Sequence, residues 1–322
     1  MNILITGITG FVGSFLAEEL FQNDLTNKNL KVFGTSFSSG LDINSAVTKK
    51  INILKGNLRD SSFVQKIIKE SKPDVIYHLA ALSSGRNATD SASPTILNNL
   101  EVQLNIFEEV RKQKLNPKIL IIGSAQEYGV TPKSVSYIDE TVALNPVSPY
   151  GFSKVAQDLS AYTYFKSFGL KIIRIRAFNH TGPRQTEEFV IPSFAKQIIE
   201  KSKTKDENEK IISVGNLDVT RDFTDVRDIV KAYILAVEKC KVGDVYNLGS
   251  GKGYKVRWLL DKLIQFSGEN IKIEIDKKKL RAVDNPVTIC NYGKFHKDTK
   301  WKPQIPIEKT LEDIFNYWKG KQ

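Results

Sequence analysis

In the stretch Tyr150-Gly151-Phe152-Ser153-Lys154 a phenol and an ammonium stand four residues apart, the spacing that puts both on one face of a helix opening near Pro149. An ammonium beside a phenol favours the phenolate, so the spacing predicts that Lys154 lowers the Tyr150 pKa toward neutrality and makes the phenol a usable proton donor or acceptor. Ser124 closes the β-branched run Ile119 to Gly123 and could hydrogen-bond the same substrate oxygen as Tyr150. Each of these residues taken singly is more often structural than catalytic. Their order behind a second motif near the chain start gives the set its weight.

That motif is Thr6-Gly7-Ile8-Thr9-Gly10-Phe11-Val12-Gly13, which directly follows a first strand and opens a helix running to about Phe21. Such a turn suits the pyrophosphate of a dinucleotide. Gly7 permits the tight turn, Gly10 lets backbone approach the phosphates, Gly13 lets helix pack on strand, and the amides at Phe11 and Val12 meet the anion. At the end of the second strand the chain reads Gly34-Thr35-Ser36-Phe37-Ser38-Ser39, without the acid that usually binds the adenosine ribose. Ser36 or Ser38 could instead donate to a 2′-phosphate, so NADP(H) is allowed, with NAD(H) use expected beside it. A solvated serine-rich loop without influence on cofactor choice is the other reading.

The elements that must position these groups alternate. Strand-like runs at Asn2 to Ile5, Lys31 to Gly34, Ile51 to Leu54, Val75 to His78 and Ile119 to Gly123 are separated by amphipathic stretches, the pattern of βαβ units and a parallel sheet. Between Pro94 and Val110, Ile96, Leu97, Leu100, Leu104, Phe107 and Val110 recur at helical spacing. Lys171 to Arg176 and Val245 to Leu248 add further parallel strands, whereas after Asn179 helices from about Pro192, from Val226 and over Val256 to Phe266 interleave with strands at Ile211 to Val214 and Ile271 to Ile275. Ile307, Leu311, Ile314 and Trp318 share one face of a last helix. The expected architecture is α/β: a Rossmann doubly wound parallel sheet with a smaller mixed α/β C-terminal substrate lobe. Residues 1–178 with parts of 225–250 form the cofactor domain in this reading, and the remaining segments of 179–322 form the lobe.

Composition narrows the function. The 322 residues are 41% hydrophobic and 26% charged, as in an ordinary globular protein, and carry a formal net charge of +11. The lysines are scattered among acids, so a solvated basic surface is expected and no nucleic-acid groove. No apolar run of membrane-spanning length and no leader pattern is visible, and Cys240 and Cys290 are too few for a disulfide framework, which together favour a reducing cytoplasm. Neither His78 nor His296 has metal-ligand company, and no metal is expected.

The glycine turn, the Ser124, Tyr150 and Lys154 set, Leu79-Ala80-Ala81 and Asn99 together resemble the extended short-chain dehydrogenase/reductases that modify nucleotide sugars. The resemblance covers essentially the whole chain. It implies a nicotinamide beside Tyr150, with Lys154 bridging to its ribose. It also implies further cofactor contacts from Asn57, Leu58, Leu79, Ala80, Ala81 and Asn99, and a homodimer built on the Pro94 to Val110 and Tyr150 helices. Within that group, Arg176-Ala177-Phe178-Asn179-His180-Thr181-Gly182-Pro183-Arg184-Gln185 and Arg221-Asp222-Phe223-Thr224-Asp225 resemble most the GDP-6-deoxy-4-keto-D-mannose reductases, with the GDP-mannose 4,6-dehydratases second. Carried over, this implies a GDP-linked sugar touched by Ser83, Gln126, Asn179, His180, Lys196 and Arg221, and flanked by Arg281 and Asp284. There the family's Arg-Pro-x-Glu reads Arg281-Ala282-Val283-Asp284. A plain Arg221–Asp222 ion pair and a packed loop histidine at His180 are the structural alternatives.

Chemistry separates the two activities. Dehydration across C5 and C6 needs a further acid/base, which the dehydratases carry as Glu two residues after the catalytic hydroxyl; here that position is Gln126, whose amide cannot relay a proton. Glu127 is adjacent, but a shift of one residue at a strand end points it to the other side. The expected reaction is therefore NAD(P)H-dependent reduction of the C4 ketone of GDP-4-keto-6-deoxy-D-mannose to GDP-D-rhamnose. GDP-mannose 4,6-dehydratase and UDP-sugar 4-epimerase are the alternatives, and a cofactor-sensing regulator without turnover is the reading from outside enzymology.

Overall fold

A computed structural model describes residues 1–22, 30–37, 45–83, 92–132, 135, 137–206, 208–280 and 283–321. The first half runs β1 (Asn2–Thr6), α1 (Phe11–Gln22), β2 (Lys31–Ser36), α2 (Ser45–Thr48), β3 (Ile51–Lys55), α3 (Ser61–Ser71), β4 (Val75–His78), α4 (Ala92–Lys112), β5 (Lys118–Ser124), α5 (Pro149–Phe168) and β6 (Lys171–Ala177). Then come β7 (Asn179–Thr181), α6 (Val190–Ser202), β8 (Ile211–Val214), β9 (Thr220–Asp225), α7 (Val226–Lys239), β10 (Val245–Leu248), β11 (Gly253–Lys255), α8 (Val256–Ser267), β12 (Lys272–Ile275), β13 (Val287–Thr288), α9 (Gly293–Thr299) and α10 (Ile307–Gly320).

Seven strands form one sheet in the order β10-β6-β5-β4-β1-β2-β3, all paired in parallel. Strand order reverses between β1 and β4, so the crevice beyond their carboxyl ends is where a doubly wound sheet takes its ligand. The β-branched runs are buried on both faces because helices cover both. One core joins α1 and α7 to the sheet through residues such as Leu16, Ile229 and Tyr233, and another joins α3, α4 and α5 through Val64, Phe107 and Ala161. A separate apolar cluster of Phe194, Ile198, Leu259, Leu263, Leu311 and Ile314 gathers α6, α8 and α10 beside the small β12-β8 sheet. In a third sheet, β9 pairs in parallel with β7 and β13 and antiparallel with β11.

The strand expectations hold to within two residues at either end. The helices expected from Pro94 and Pro192 start at Ala92 and Val190, two residues earlier. A proline in the first turn lacks only an N–H that has no helical partner anyway, so it can sit inside the helix instead of opening it.

Candidate active site

Gly7 lies at φ +69°, and a Cβ there would stand 3.1 Å from the Ala80 backbone. Gly13 is the tighter case: its Cβ would meet the Gly7 carbonyl at 2.4 Å, so only glycine lets α1 sit this close to the turn. Amides of the first helical turn have no carbonyl behind them to bond, and α1 carries no acidic residue there to compete with an anion. The turn is braced from both sides: Thr35 Oγ1 accepts from the Gly7 amide at 3.2 Å, and Thr6 Oγ1 accepts from the Ala80 amide at 3.1 Å. Ala80 and its neighbours Leu79 and Ala81 thus border the turn across the strand-order reversal. By donor chemistry and by shape the turn fits a dinucleotide pyrophosphate.

Ser36 is almost fully buried, with its hydroxyl 3.0 Å from Thr9 Oγ1. Its hydroxyl is thus part of the turn's bracing; Ser38, the other serine expected as a donor to a 2′-phosphate, lies outside the described residues. Asn57 turns the chain after β3, its Oδ1 accepting from the Arg59 amide at 3.0 Å, and Leu58 is packed into the core beside it. Asn99 is likewise held by its protein neighbours. It is fully buried, its Oδ1 accepts from the Leu82 amide at 2.7 Å, and its Nδ2 donates to Leu82 O at 3.1 Å and Ser153 Oγ at 3.0 Å. These bonds tie the segment after β4 to α5, with Oδ1 also accepting from Asn98 Nδ2 at 3.3 Å, so Asn99 helps to position the helix that carries Tyr150. Ser83, next along that segment, is exposed.

Ser148 caps α5, accepting from the Gly151 amide at 3.0 Å and donating to Gln126 Oε1 at 3.1 Å. This fixes Gln126 beside the start of α5, where a Cβ on Gly151 would stand 2.6 Å from the Gln126 carbonyl oxygen. Ser124 hydrogen-bonds the Tyr150 phenol, and its Oγ also accepts from the Gln126 amide at 3.2 Å. Lys154 is buried, with Nζ 5.8 Å from the centre of the Tyr150 ring and donating to Ile122 O at 2.8 Å. Serine, phenol and ammonium therefore converge at the carboxyl end of β5, as their spacing predicts.

Electrostatics differ from the expectation. Burial, followed by the negative charge of Glu127, pushes the Tyr150 phenol up, with only the Ser124 hydrogen bond pulling it down. Burial also pushes Lys154 down, to about 8, against the pull of Glu127. Desolvation of the phenol outweighs an ammonium nearly 6 Å from its ring. His78 is held neutral by burial, then by the Lys154 charge, at about 3; its Nδ1 faces Thr6 Oγ1 at 2.9 Å, so it braces β1 against β4.

On the other side of the crevice, Asn179 is exposed and its Nδ2 donates to Asp222 O at 3.1 Å. His180 stacks on Phe11 at 6.2 Å between ring centres, with Nδ1 3.1 Å from Phe178 O, so it packs the second lobe against the glycine turn. No Arg221–Asp222 pair forms, because successive residues on β9 face opposite ways. Arg221 donates instead to Asp284 at 2.5 Å, bringing together two residues expected to flank the substrate diphosphate. Asp222 is buried and accepts from the amides of Ser250, Gly251 and Cys290 and from the Ser250 hydroxyl. Lys196 lies elsewhere on this lobe, paired with Glu187 at 2.9 Å and Glu200 at 3.9 Å, and Arg281 lies outside the described residues.

Sequence reading missed the charged cluster beneath the catalytic set. Asp158 follows Tyr150 and Lys154 at helical spacing and binds Arg174 at 2.5 Å and Arg176 at 2.6 Å from β6. The i, i+4, i+8 series on one helix was the available signal.

A parallel sheet with a glycine-braced turn at its strand-order reversal, and a Ser, Tyr and Lys set at the neighbouring strand end, defines an oxidoreductase of the extended short-chain dehydrogenase/reductase class. Comparison with known proteins narrows this to nucleotide-sugar enzymes. The sequence model for GDP-mannose 4,6 dehydratase matches residues 4–314, and the chain belongs to that family. The chain is 30% identical to the GDP-6-deoxy-D-mannose reductase of Pseudomonas aeruginosa over 249 residues, 77% of this chain and 81% of the reductase. It is 28% identical to GDP-mannose 4,6 dehydratase 1 of Arabidopsis thaliana over 324 residues, 96% of this chain and 87% of that one. The solved structure of RMD from Pseudomonas aeruginosa complexed with NADPH superposes with a TM-score of 0.84 at 26% identity, with all of both chains covered. Family members use nicotinamide cofactors. No described helix is long and apolar enough to cross a membrane.

Proposed function

We propose that the protein reduces the C4 ketone of a GDP-linked 4-keto-6-deoxyhexose, GDP-4-keto-6-deoxy-D-mannose, to GDP-D-rhamnose, using NADPH or NADH. The observation that carries the choice of reduction over dehydration is Gln126. It sits beside Ser124 where a dehydratase needs a carboxyl group, and its Oε1 is occupied by the Ser148 hydroxyl. Glu127 cannot substitute, being fully buried below the crevice. The 30% identity to a GDP-6-deoxy-D-mannose reductase supports the same reading.

The reduced nicotinamide, when bound, supplies the hydride. Around it Tyr150 donates the proton that the C4 oxygen gains, Ser124 donates a hydrogen bond to that oxygen, and Lys154 contributes positive charge beneath the phenol. Backbone amides of Phe11, Val12 and Gly13 hold the cofactor pyrophosphate. Residues 1–178 with parts of 225–250 serve as the cofactor domain and the rest of 179–322 as the nucleotide-sugar lobe. Arg221 presents its guanidinium to the substrate diphosphate while Asp284 orients it, and Asn179 lines the same opening.

Protein handling follows from the same picture. The enzyme is cytoplasmic, with Cys240 and Cys290 buried and free. It is a homodimer through α4 and α5, whose Leu97, Phe152, Leu159 and Tyr162 are exposed apolar or aromatic side chains.

The test is absorbance at 340 nm with NADPH or NADH and enzymatically prepared GDP-4-keto-6-deoxymannose, beside GDP-mannose with oxidised cofactor. Consumption of reduced cofactor in the first is expected. A 4-keto product from GDP-mannose alone would show a dehydratase and overturn the Gln126 argument. Within the reductase reading, Arg221→Ala raises KM for the nucleotide sugar by about 10- to 100-fold, the size of one charge-assisted contact, while kcat changes much less. A kcat loss at unchanged KM would remove Arg221 from diphosphate binding.

A further inference from the structure

Glu127 is a fully buried carboxyl group beside the site and has no part in the proton transfer itself. Its Oε1 accepts from the Ser124 amide at 2.6 Å, closing a capping box at the end of β5. The carboxyl group folds back over Gly123 so closely that a Cβ on Gly123 would stand 2.1 Å from Oε1. Its other oxygen lies 3.3 Å from Arg176 Nε. Arg176 is gripped by Asp158, one helical turn beyond Lys154. We propose that Glu127 is the positioning residue of the catalytic set: it holds the Ser124 backbone and, through Arg176 and Asp158, locks the ends of β5 and β6 to the face of α5 that carries Tyr150 and Lys154. This rests on the assignment of those three residues as catalytic.

The charged and titratable groups that bear on Glu127 are Tyr150, Lys154 and Asp158 from α5 and Arg176 from β6. Burial, followed by the negative charge of Asp158, pushes the Glu127 carboxyl group up, and Arg176 only partly offsets this. The proton it retains matters to its neighbours, because an ionised Glu127 raises both Tyr150 and Lys154. A merely structural glutamate would leave the titration of the catalytic set unchanged when replaced by its isostere.

Glu127→Gln keeps an acceptor for the Ser124 amide and removes the titration, whereas Glu127→Ala removes both. In Glu127→Gln the basic limb of kcat/KM for reduction moves to lower pH, because Tyr150 and Lys154 lose the charge that held them up. In Glu127→Ala kcat falls by about 10-fold or more with KM for the nucleotide sugar changed less than about threefold, the split expected when reacting groups lose orientation. A readout independent of turnover is the melting temperature of the ligand-free protein. The folded state holds a proton on Glu127 that the unfolded chain releases, so this group's stabilisation is present at acid pH and lost as pH rises through the raised value. Relative to Glu127→Gln, the wild type therefore loses melting temperature between about pH 5 and about pH 9. Identical pH limbs and parallel melting profiles for wild type and Glu127→Gln, or an Ala variant with wild-type kcat, would overturn the proposal. An active Tyr150→Phe variant would instead overturn the catalytic assignment, and the melting comparison would still judge Glu127.

Discussion

Replacing Tyr150 by phenylalanine lowers kcat for ketone reduction by about 10²- to 10⁴-fold, the usual worth of a positioned general acid. Phenylalanine keeps the ring, and the start of α5 is set independently by the Ser148 cap and by Gly151 against the Gln126 carbonyl. The loss therefore isolates the hydroxyl. Cofactor affinity, followed by quenching of protein fluorescence on titration with NADPH, stays within about threefold, because the glycine turn lies on a different strand end. Activity within tenfold of wild type would show that another group protonates the product oxygen. The measurement also separates an enzyme from a cofactor-sensing regulator, in which losing the Tyr150 hydroxyl would leave the biological output intact.

Asp158→Ala is expected to cost about 3–5 kcal/mol of stability, because it leaves the buried Arg174 guanidinium without a carboxylate and the buried Arg176 with Glu127 alone. Both arginine side chains are roughly a tenth exposed or less, at 11% and 7%, and Asp158 is at 2%, so water cannot replace the lost partner. Chemical denaturation read by circular dichroism measures the loss. A cost below about 1 kcal/mol would mean that Glu127 alone suffices to compensate the arginines. Any activity surviving in the folded fraction also reports whether β6 still supports the Tyr150 helix.

The βαβ alternation, the glycine turn and the Tyr150 and Lys154 pair were legible in the chain because each depends on local spacing. A period of two or of 3.6 residues, or a steric demand at one backbone position, is written in neighbouring residues. Gly13 could be assigned to close packing of helix on strand, and the structure meets that demand at the Gly7 carbonyl. Strand alternation, however, is not what separates Glu127 from Gln126: both lie in the one-turn 3-10 helix Ala125–Glu127 after β5, where the Ser124 capping box turns Glu127 back onto the Ser124 amide while Gln126 meets Ser148.

Partnership across long separations was decided only by the tertiary structure. Arg221 pairs with Asp284, 63 residues away, and not with adjacent Asp222, because β9 turns its two side chains apart and a distant loop supplies the carboxylate. Asn99 reads as a cofactor ligand from its motif, and only the fold shows that it ties the segment after β4 to α5. Most consequentially, an ammonium four residues from a phenol promises a lowered phenol pKa, and only the folded burial of Tyr150, with Glu127 beneath it, reverses the sign. Charge spacing is a property of the chain, but desolvation is a property of the volume the chain encloses, and in this site the second is the larger effect.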